Sequence, residues 1–148
     1  MTDLRELYQE VILDHNKRPR NFRVPEHPQH QAEGYNPLCG DRVTVYVDVE
    51  DERIRDVCFH GAGCAISQAS ASLMTEALEG KTVEEARALF EDFHRLLTEE
   101  GATGSEDLGK LEVFAGVREY PMRVKCATLA WHTFKSALEG KSKTASTE

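Results

Sequence analysis

The sequence has little of several features that would each assign it to a class of protein. It has only four cysteines in 148 residues, and no two of them form a Cys-x-x-Cys pair. It has no apolar run near the ~20 residues that span a bilayer. It also has no basic excess, since 18 Lys and Arg stand against 26 Asp and Glu, a net charge of −8. Phosphate binding needs a basic surface, so we expect neither nucleic acid nor a membrane as partner.

The start of the chain also lacks a recognisable leader. Residues 1–6 read MTDLRE, without the basic start or the apolar stretch of a signal peptide. We therefore expect a cytoplasmic protein, in a compartment where disulfides are rare. Four cysteines then indicate metal binding, chemistry or simple burial. The length fits one domain, which we place at residues 1–140, followed by a mobile polar tail at 141–148.

The spacing of apolar residues predicts an α+β fold. Valines alternate with other residues over 43–49, and a second run over 54–60 follows a turn at Asp51-Glu52, which predicts an antiparallel hairpin. Residues 31–35 suggest a third, short strand. Helical spacing or composition predicts helices at 3–15, 64–78, 82–97, from 105 to 114 or 115, and after Pro121. The expected architecture is a compact single domain, with a small, about three-stranded antiparallel sheet packed against four to five helices.

Cys39 and Asp41 stand on either side of a glycine, just before the first long strand. A loop thiol is free to face solvent or a metal, and Gly40 lets the backbone bend so that both side chains converge on one point. The alternative is an ordinary turn, in which Asp41 is simply a turn residue. The tripeptide alone leaves both readings open.

Two further thiols fall near predicted helix starts. Unsatisfied amides and the helix dipole at Cys64 favour a thiolate over a thiol, and Cys126 adds the nearby cations Arg123 and Lys125. The alternative for each is a buried thiol that behaves as a small hydrophobic side chain. Cys58 lies within a predicted strand, and we expect it not to be a ligand.

Three thiolates and one carboxylate would suit a four-coordinate zinc site. Four anionic ligands around Zn²⁺ leave two surplus negative charges, which Arg123 and Lys125 have the right sign to offset in part. The carboxylate would be the harder and more exchangeable ligand. Spacing alone still leaves a structural zinc site and a cysteine nucleophile open. The candidate ligands are Cys39, Asp41, Cys64 and Cys126.

Four motifs, in order, resemble the SufU-type iron–sulfur cluster assembly proteins, which are relatives of the IscU scaffolds. The resemblance runs from about Leu7 to Leu138. It implies a compact fold in which helices cover a small antiparallel sheet, and it implies Cys39, Asp41, Cys64 and Cys126 as the metal site. The motifs are Asp14-His15 with Pro19-Arg20-Asn21, Asn36-Pro37-Leu38-Cys39-Gly40-Asp41, Gly61-Ala62-Gly63-Cys64-Ala65-Ile66-Ser67, and Arg123-Val124-Lys125-Cys126-Ala127-Thr128-Leu129.

Departures from the IscU pattern imply which branch the chain resembles. Lys125 stands where IscU scaffolds have a histidine, their Leu-Pro-Pro-Val-Lys chaperone motif is absent, and Leu97 to Gly116 looks like the extra stretch of the SufU branch. The resemblance then favours a zinc-dependent sulfur acceptor that is served by a SufS-type cysteine desulfurase and works with downstream SUF assembly proteins. The alternatives are a scaffold that assembles and donates a [2Fe–2S] cluster or holds iron, and a structural zinc domain. Sulfurtransferase activity and a non-enzymatic scaffold role both stay open.

The resemblance also implies how sulfur would be accepted. An attacking cysteine must be a thiolate and must be accessible, whereas a closed shell of four ligands around zinc blocks access. One ligand must therefore leave the metal during transfer. We assign this role of persulfide acceptor to Cys39, because a loop thiol can swing out while the two helix-start thiols stay fixed. One zinc per chain is expected.

Overall fold

Four α-helices and a four-stranded sheet form the fold of the described part of the chain. The computed structural model describes residues 4–27, 29–37, 40–99, 106–139 and 145–146. Among these residues, no helix is long and apolar enough to cross a bilayer. In chain order the elements are α1 (Leu4–Lys17), β1 (His30–Asn36), β2 (Asp41–Glu50), β3 (Arg53–Ala62), α2 (Ala65–Leu78), α3 (Val83–Thr98), a 3₁₀ segment (Glu106–Glu119), α4 (Pro121–Leu138) and β4 (Ala145–Ser146).

The sheet has the strand order β3-β2-β1-β4, and its three long strands are antiparallel. The α+β fold expected from the sequence, with about three antiparallel strands and four to five helices, is thus confirmed. At one end of the sheet Asn36 pairs with Asp41, and Arg42 pairs with Ala62. The end of β1, the start of β2 and the end of β3 therefore lie side by side. Whatever these three strand ends carry is brought to one place.

Local sequence signals explain where α2 and α3 begin. Cys64 is the N-cap of α2, and its side chain accepts a hydrogen bond from the amide of Ser67. Thr82 and Glu85 form a capping box at the start of α3, each side chain bonding the other's backbone amide at 3.0 Å. Both helix starts agree with the sequence prediction to within one residue.

Helices α2 and α4 are joined through a buried serine. Ser70 Oγ accepts a hydrogen bond from Trp131 Nε1 at 3.2 Å and donates one to the carbonyl oxygen of Ala127. Ser70, Trp131 and Ala127 are completely buried, and the Trp131 ring stacks on Phe93 with centroids 4.6 Å apart. Because α4 also packs across β1 and β2, this serine fixes α2 relative to the sheet end.

The motif around Asp14-His15 and Pro19-Arg20-Asn21 attaches the N-terminal segment to α2. His15 Nδ1 lies 2.7 Å from Ser72 Oγ, which also accepts a hydrogen bond from the Arg20 amide at 2.8 Å. Asn21 donates its side-chain amide to Thr75 Oγ1 at 3.0 Å. His15, Arg20 and Asn21 of this motif therefore have structural partners on α2, far along the helix from its Cys64 end.

Two regions of the structure contain elements that the sequence did not predict. The stretch after Ser105 is a 3₁₀ segment rather than an α-helix, and Gly109 breaks it with φ 51° and ψ −122°, a conformation that glycine adopts readily. Ser105 itself lies outside the described residues. Ala145–Ser146 pairs in parallel with Gly34 and Tyr35 of β1, whereas a mobile tail is expected there. The rest of that tail is outside the described residues, so its mobility stays a prediction.

Candidate metal centre

Three of the four expected ligands converge at the sheet end. One donor atom each from Asp41, Cys64 and Cys126 lies within 4.8 Å of the other two. The three residues come from the start of β2, the N-cap of α2 and the interior of α4. They are far apart in sequence, and the alignment of the strand ends together with the packing of α4 brings them together.

The carboxylate of Asp41 is held by the backbone of its neighbour in the site. Asp41 is only 2% exposed. Its Oδ1 accepts a hydrogen bond from the Cys64 amide at 2.9 Å, and its Oδ2 lies 3.6 Å from Cys64 Sγ. A Cβ atom on Gly63 would come within 3.1 Å of Oδ1. Glycine at position 63 therefore leaves the space in which this carboxylate lies.

Cys64 presents its sulfur at an exposed helix start. The amide of Ser67 donates to its Sγ at 3.4 Å, and the positive end of the α2 dipole adds to this attraction. Both effects stabilise negative charge on the sulfur. The position agrees with the prediction that this cysteine begins a helix, and its exposure leaves it open to solvent.

Cys126 is buried and lies deeper in its helix than expected. Its predicted place within about the first turn is wrong, because Pro121 is itself the first helical residue, where its fixed φ and missing amide proton are favourable. Cys126 is then the sixth residue, in the second turn. Its sulfur, 4% exposed, accepts a hydrogen bond from Asn36 Nδ2 with an N···S distance of 3.8 Å. A side-chain amide serves here in place of the free amides of a helix end.

The donor set fits zinc in chemistry, and one pair of its donor atoms already has the spacing of two zinc ligands. Ligands about 2.0–2.3 Å from a tetrahedral zinc ion are separated by about 3.4–3.8 Å. The Asp41–Cys64 distance of 3.6 Å already meets this spacing, and the whole set lies within 4.8 Å. Two sulfurs and a carboxylate oxygen are ligands that zinc accepts.

The fourth expected ligand, Cys39, lies outside the described residues. On either side of it the chain is defined: the Gly40 amide donates to the Asn36 carbonyl oxygen at 2.8 Å, and Gly40 has φ 75°. This bond ties the two ends of the connection between β1 and β2 together beside the site. The predicted roles of Cys39 as ligand and acceptor stay predictions.

The remaining cysteine and the two cations take other positions. Cys58 is buried in β3, and burial raises the pKa of its thiol from 9.0 to about 11. The exposed Arg123 lies over the Tyr120 ring, 4.6 Å from its centroid, and Lys125 is half-buried. Among the described ion pairs neither cation contacts Asp41, so their charge-offsetting role stays a prediction.

Sequence reasoning assigned no role to Asn36, Ser67 or Ser70. Asn36 belongs to the motif around Cys39, and Ser67 to the motif around Cys64, so the resemblance pointed to both without saying what they do. Ser67 contributes only its backbone amide, which any residue other than proline would supply. The contacts of Asn36 and Ser70 depend on how the elements pack, and no spacing in the sequence encodes them.

Comparison with known proteins places these residues in a family. Residues 7–127 match the NifU-like N terminal domain. The chain is 39% identical over 145 residues to the iron–sulfur cluster assembly scaffold protein IscU of Streptococcus pyogenes serotype M1, covering 94% of this chain and 87% of that protein. It is 38% identical over 136 residues to the zinc-dependent sulfurtransferase SufU of Bacillus subtilis strain 168, covering 92% of each.

A solved structure gives the same result for the fold. The putative iron–sulfur cluster assembly scaffold protein for the SUF system from Fervidobacterium islandicum AW-1 superposes with a TM-score of 0.82 at 40% sequence identity. The match covers 89% of this chain and 96% of that one. These proteins share both the architecture and much of the sequence of the chain.

Proposed function

Because the chain belongs to the NifU-like N-terminal domain family, we propose that it acts in iron–sulfur cluster assembly as a zinc-dependent acceptor of sulfur from a cysteine desulfurase. The observation that carries this proposal is the convergence of Asp41, Cys64 and Cys126 within 4.8 Å. A relative of similar length is named a zinc-dependent sulfurtransferase. The relatives named as scaffolds support the shared setting of cluster assembly.

Asp41, Cys64 and Cys126 would hold the zinc, with Cys39 as the fourth ligand. Bound zinc would keep its sulfur ligands deprotonated and so ready for chemistry near neutral pH. The chain itself prepares the rest of the site. The Cys64 amide orients the Asp41 carboxylate, the Ser67 amide supports the Cys64 sulfur, and the burial of Cys126 limits its contact with solvent.

The transfer step needs one accessible thiolate. The Cys39 thiolate attacks the outer sulfur of the desulfurase persulfide, and a new sulfur–sulfur bond forms while the old one breaks. The bonding electrons leave with the desulfurase sulfur as a thiolate, and the proton stays on the transferred sulfur. Atoms and charge balance, and no oxidant or reductant is required.

The proposal includes a partner and a place in the cell. A SufS-type cysteine desulfurase would supply the persulfide, and downstream SUF assembly proteins would receive the sulfur. Thiol chemistry of this kind suits a reducing compartment, and we therefore propose the cytoplasm. The acidic net charge gives no support for a nucleic-acid partner.

Persulfide mass analysis tests the proposal directly. The zinc-loaded protein is incubated with a SufS-type desulfurase and cysteine, and peptides are mapped for added sulfur. We expect one added sulfur atom at Cys39 before any other thiol, and loss of desulfurase stimulation in Cys39→Ser. Cys58→Ala serves as the matched control and should behave as wild type. Sulfur found first at Cys58, or undiminished stimulation in Cys39→Ser, would contradict the proposal.

A cluster scaffold is the second candidate, and the names of the IscU relatives favour it. In this case a [2Fe–2S] cluster is cargo on the same residues. Lys125 separates the two candidates, because a protonated lysine has only hydrogen-bond donors, whereas a histidine offers iron a lone pair. We expect a short-lived cluster in wild type, a longer-lived one in Lys125→His and no gain in Lys125→Ala. Anaerobic purification of wild type with a stable, transferable cluster and little zinc would favour the scaffold.

A further inference from the structure

Asn36 contacts the candidate ligand Cys126 and also Gly40, the residue that precedes the candidate ligand Asp41. It is the last residue of β1 and is completely buried. Its side-chain Nδ2 donates to Cys126 Sγ, 3.8 Å away, and its carbonyl oxygen accepts the Gly40 amide at 2.8 Å. The side chain of Asn36 thus contacts the buried cysteine, and its backbone contacts the connection between β1 and β2 that includes Cys39.

A side-chain amide suits a sulfur that must carry negative charge where water is largely excluded. The amide donates a hydrogen bond without adding a net charge, and a buried anion without such a donor is costly. Cys64 differs, since it is exposed and has the Ser67 amide at its helix start.

We propose that Asn36 is a positioning residue that stabilises Cys126 as the sulfur ligand that the metal retains during sulfur transfer to Cys39. Its side-chain amide offsets charge on the Cys126 sulfur, and its backbone anchors the neighbouring connection independently of the side chain. This inference rests on the proposed zinc site and deepens it. It assigns to the two ends of the site different tasks, a retained ligand at Cys126 and an exchanging one at Cys39.

Substitution can separate these two contacts. Asn36→Leu has similar volume, removes the donor and keeps the backbone carbonyl that binds Gly40. Asn36→Ala is smaller, also removes the donor and keeps the same backbone carbonyl. Thr133→Val is the matched control, because Thr133 is equally buried on α4, packs against Gly34 of β1 and donates only to the Leu129 carbonyl oxygen.

Cobalt spectroscopy and zinc release provide the readouts. In protein loaded with Co²⁺, the sulfur-to-cobalt charge-transfer band reports the energy of the sulfur lone pairs, which a donated hydrogen bond lowers. We expect this band to move to longer wavelength in both Asn36→Leu and Asn36→Ala. Zinc release to a chelator should accelerate about tenfold or more in both variants. Thr133→Val should match wild type in both measurements.

The outcomes distinguish the inference from the function on which it rests. Wild-type band position and release rate in both Asn36 variants would overturn the role of Asn36 and leave the zinc site intact. A wild-type protein with no sulfur-to-cobalt band would overturn both. If Asn36→Leu does not fold, Asn36→Ala decides alone, and an unmoved band in it would refute the inference. A shifted band with unchanged release would contradict the retention role.

Discussion

Cys58 and Cys64 are near each other in the chain and yet have opposite environments. Cys58 lies within β3, 1% exposed, paired with Tyr46 of β2 and on the same face as Asp56. Cys64 lies just beyond the end of that strand, exposed, and receives an amide hydrogen bond from Ser67. Burial raises the pKa of the Cys58 thiol to about 11, whereas the helix start supports negative charge at Cys64.

The difference shows that element boundaries decide what a cysteine does in this fold. Inside a strand the backbone amides are used by neighbouring strands, and desolvation is the largest influence on the protonation of the buried Cys58 sulfur. Beyond the strand end the first amides of a helix are unpaired and point at the side chain. The same residue type is therefore inert at one position and a candidate metal ligand at the other.

The largest expected effect comes from removing the sulfur of a candidate ligand, Cys64 or Cys126. Cys64→Ser and Cys126→Ser should each abolish stoichiometric zinc, because each removes one of the two sulfurs among the three donors that converge. Structural zinc contributes on the order of 10 kcal/mol in small domains, so the melting temperature should also fall. Metal analysis after gel filtration and a thermal melt measure the two effects.

Cys58→Ala is the control for this experiment, since it removes a thiol that has no role in the proposed site. It should keep one zinc per chain, with a modest loss of stability from the small cavity. Full zinc in both Cys64→Ser and Cys126→Ser would show that the candidate site is wrong. Loss of zinc from Cys58→Ala alone would reverse the assignment of the two neighbouring cysteines.

The next effect concerns the serine that holds the Cys64 helix against α4. Ser70→Ala leaves the Trp131 indole donor and the Ala127 carbonyl oxygen without this buried partner. We expect a loss of about 2–3 kcal/mol in the free energy of unfolding, measured by urea titration of zinc-free protein. Thr128→Val is the control and should cost less, because Thr128 Oγ1 donates only to backbone of its own helix. Equal losses would argue against a special role for Ser70.

The buried Cys58 thiol predicts that the free energy of unfolding falls by about 2 kcal/mol as the pH rises. In the unfolded chain the Cys58 thiol loses its proton near pH 9.0, but in the folded protein near 11. The folded state keeps the proton longer, so stability falls as pH rises through this window. Between pH 8 and pH 10.5, zinc-loaded wild type should lose on the order of 2 kcal/mol more unfolding free energy than Cys58→Ala.

Subtracting the variant removes the groups that titrate independently of Cys58. Tyr46 is coupled to Cys58, because burial raises its pKa and the charge of the Cys58 sulfur raises it further. Arg23 also lies near Cys58, lowers the pKa of this thiol and pairs with Asp56 at 2.6 and 2.7 Å. Parallel pH curves for the two proteins would mean that Cys58 keeps its ordinary pKa and that the contrast with Cys64 is weaker than the structure indicates.

Local signals explain how much of the fold the sequence predicts. Alternating valines gave β2, the Thr82–Glu85 pair gave the start of α3, and the small residues after Gly63 gave α2. These features depend on neighbours in the chain. The 3₁₀ segment and the place of Cys126 in α4 were missed, because Gly109 adopts positive φ and Pro121 is itself the first residue of its helix.

The candidate site likewise has features that the sequence predicts and features that depend on packing. The sequence indicated which residues have donor atoms, and the resemblance supplied the set of four. Neither indicated that Asn36 would reach Cys126 or that Ser70 would join two helices, because both contacts link residues distant in sequence. The burial of neighbouring Val57 and Cys58, which lie on opposite faces of β3, was equally hidden, since alternation along a strand predicts that only one face is buried.

The smallest predicted effect tests the space beside the Asp41 carboxylate. In Gly63→Ala the new methyl group would lie 3.1 Å from Asp41 Oδ1, so the carboxylate must shift by a few tenths of an ångström. Zinc release should quicken by less than tenfold, below the usual range for a lost supporting contact. The zinc-free protein should keep or slightly gain stability, because alanine restricts the unfolded chain by about 0.4–1 kcal/mol.

Gly116→Ala is the matched control, with nothing within 4 Å of its new methyl group. It should share the change in stability but not the faster release. If Gly63→Ala releases zinc no faster than Gly116→Ala, the position of the Asp41 carboxylate does not limit metal retention. Retention would then depend on the cysteine ligands.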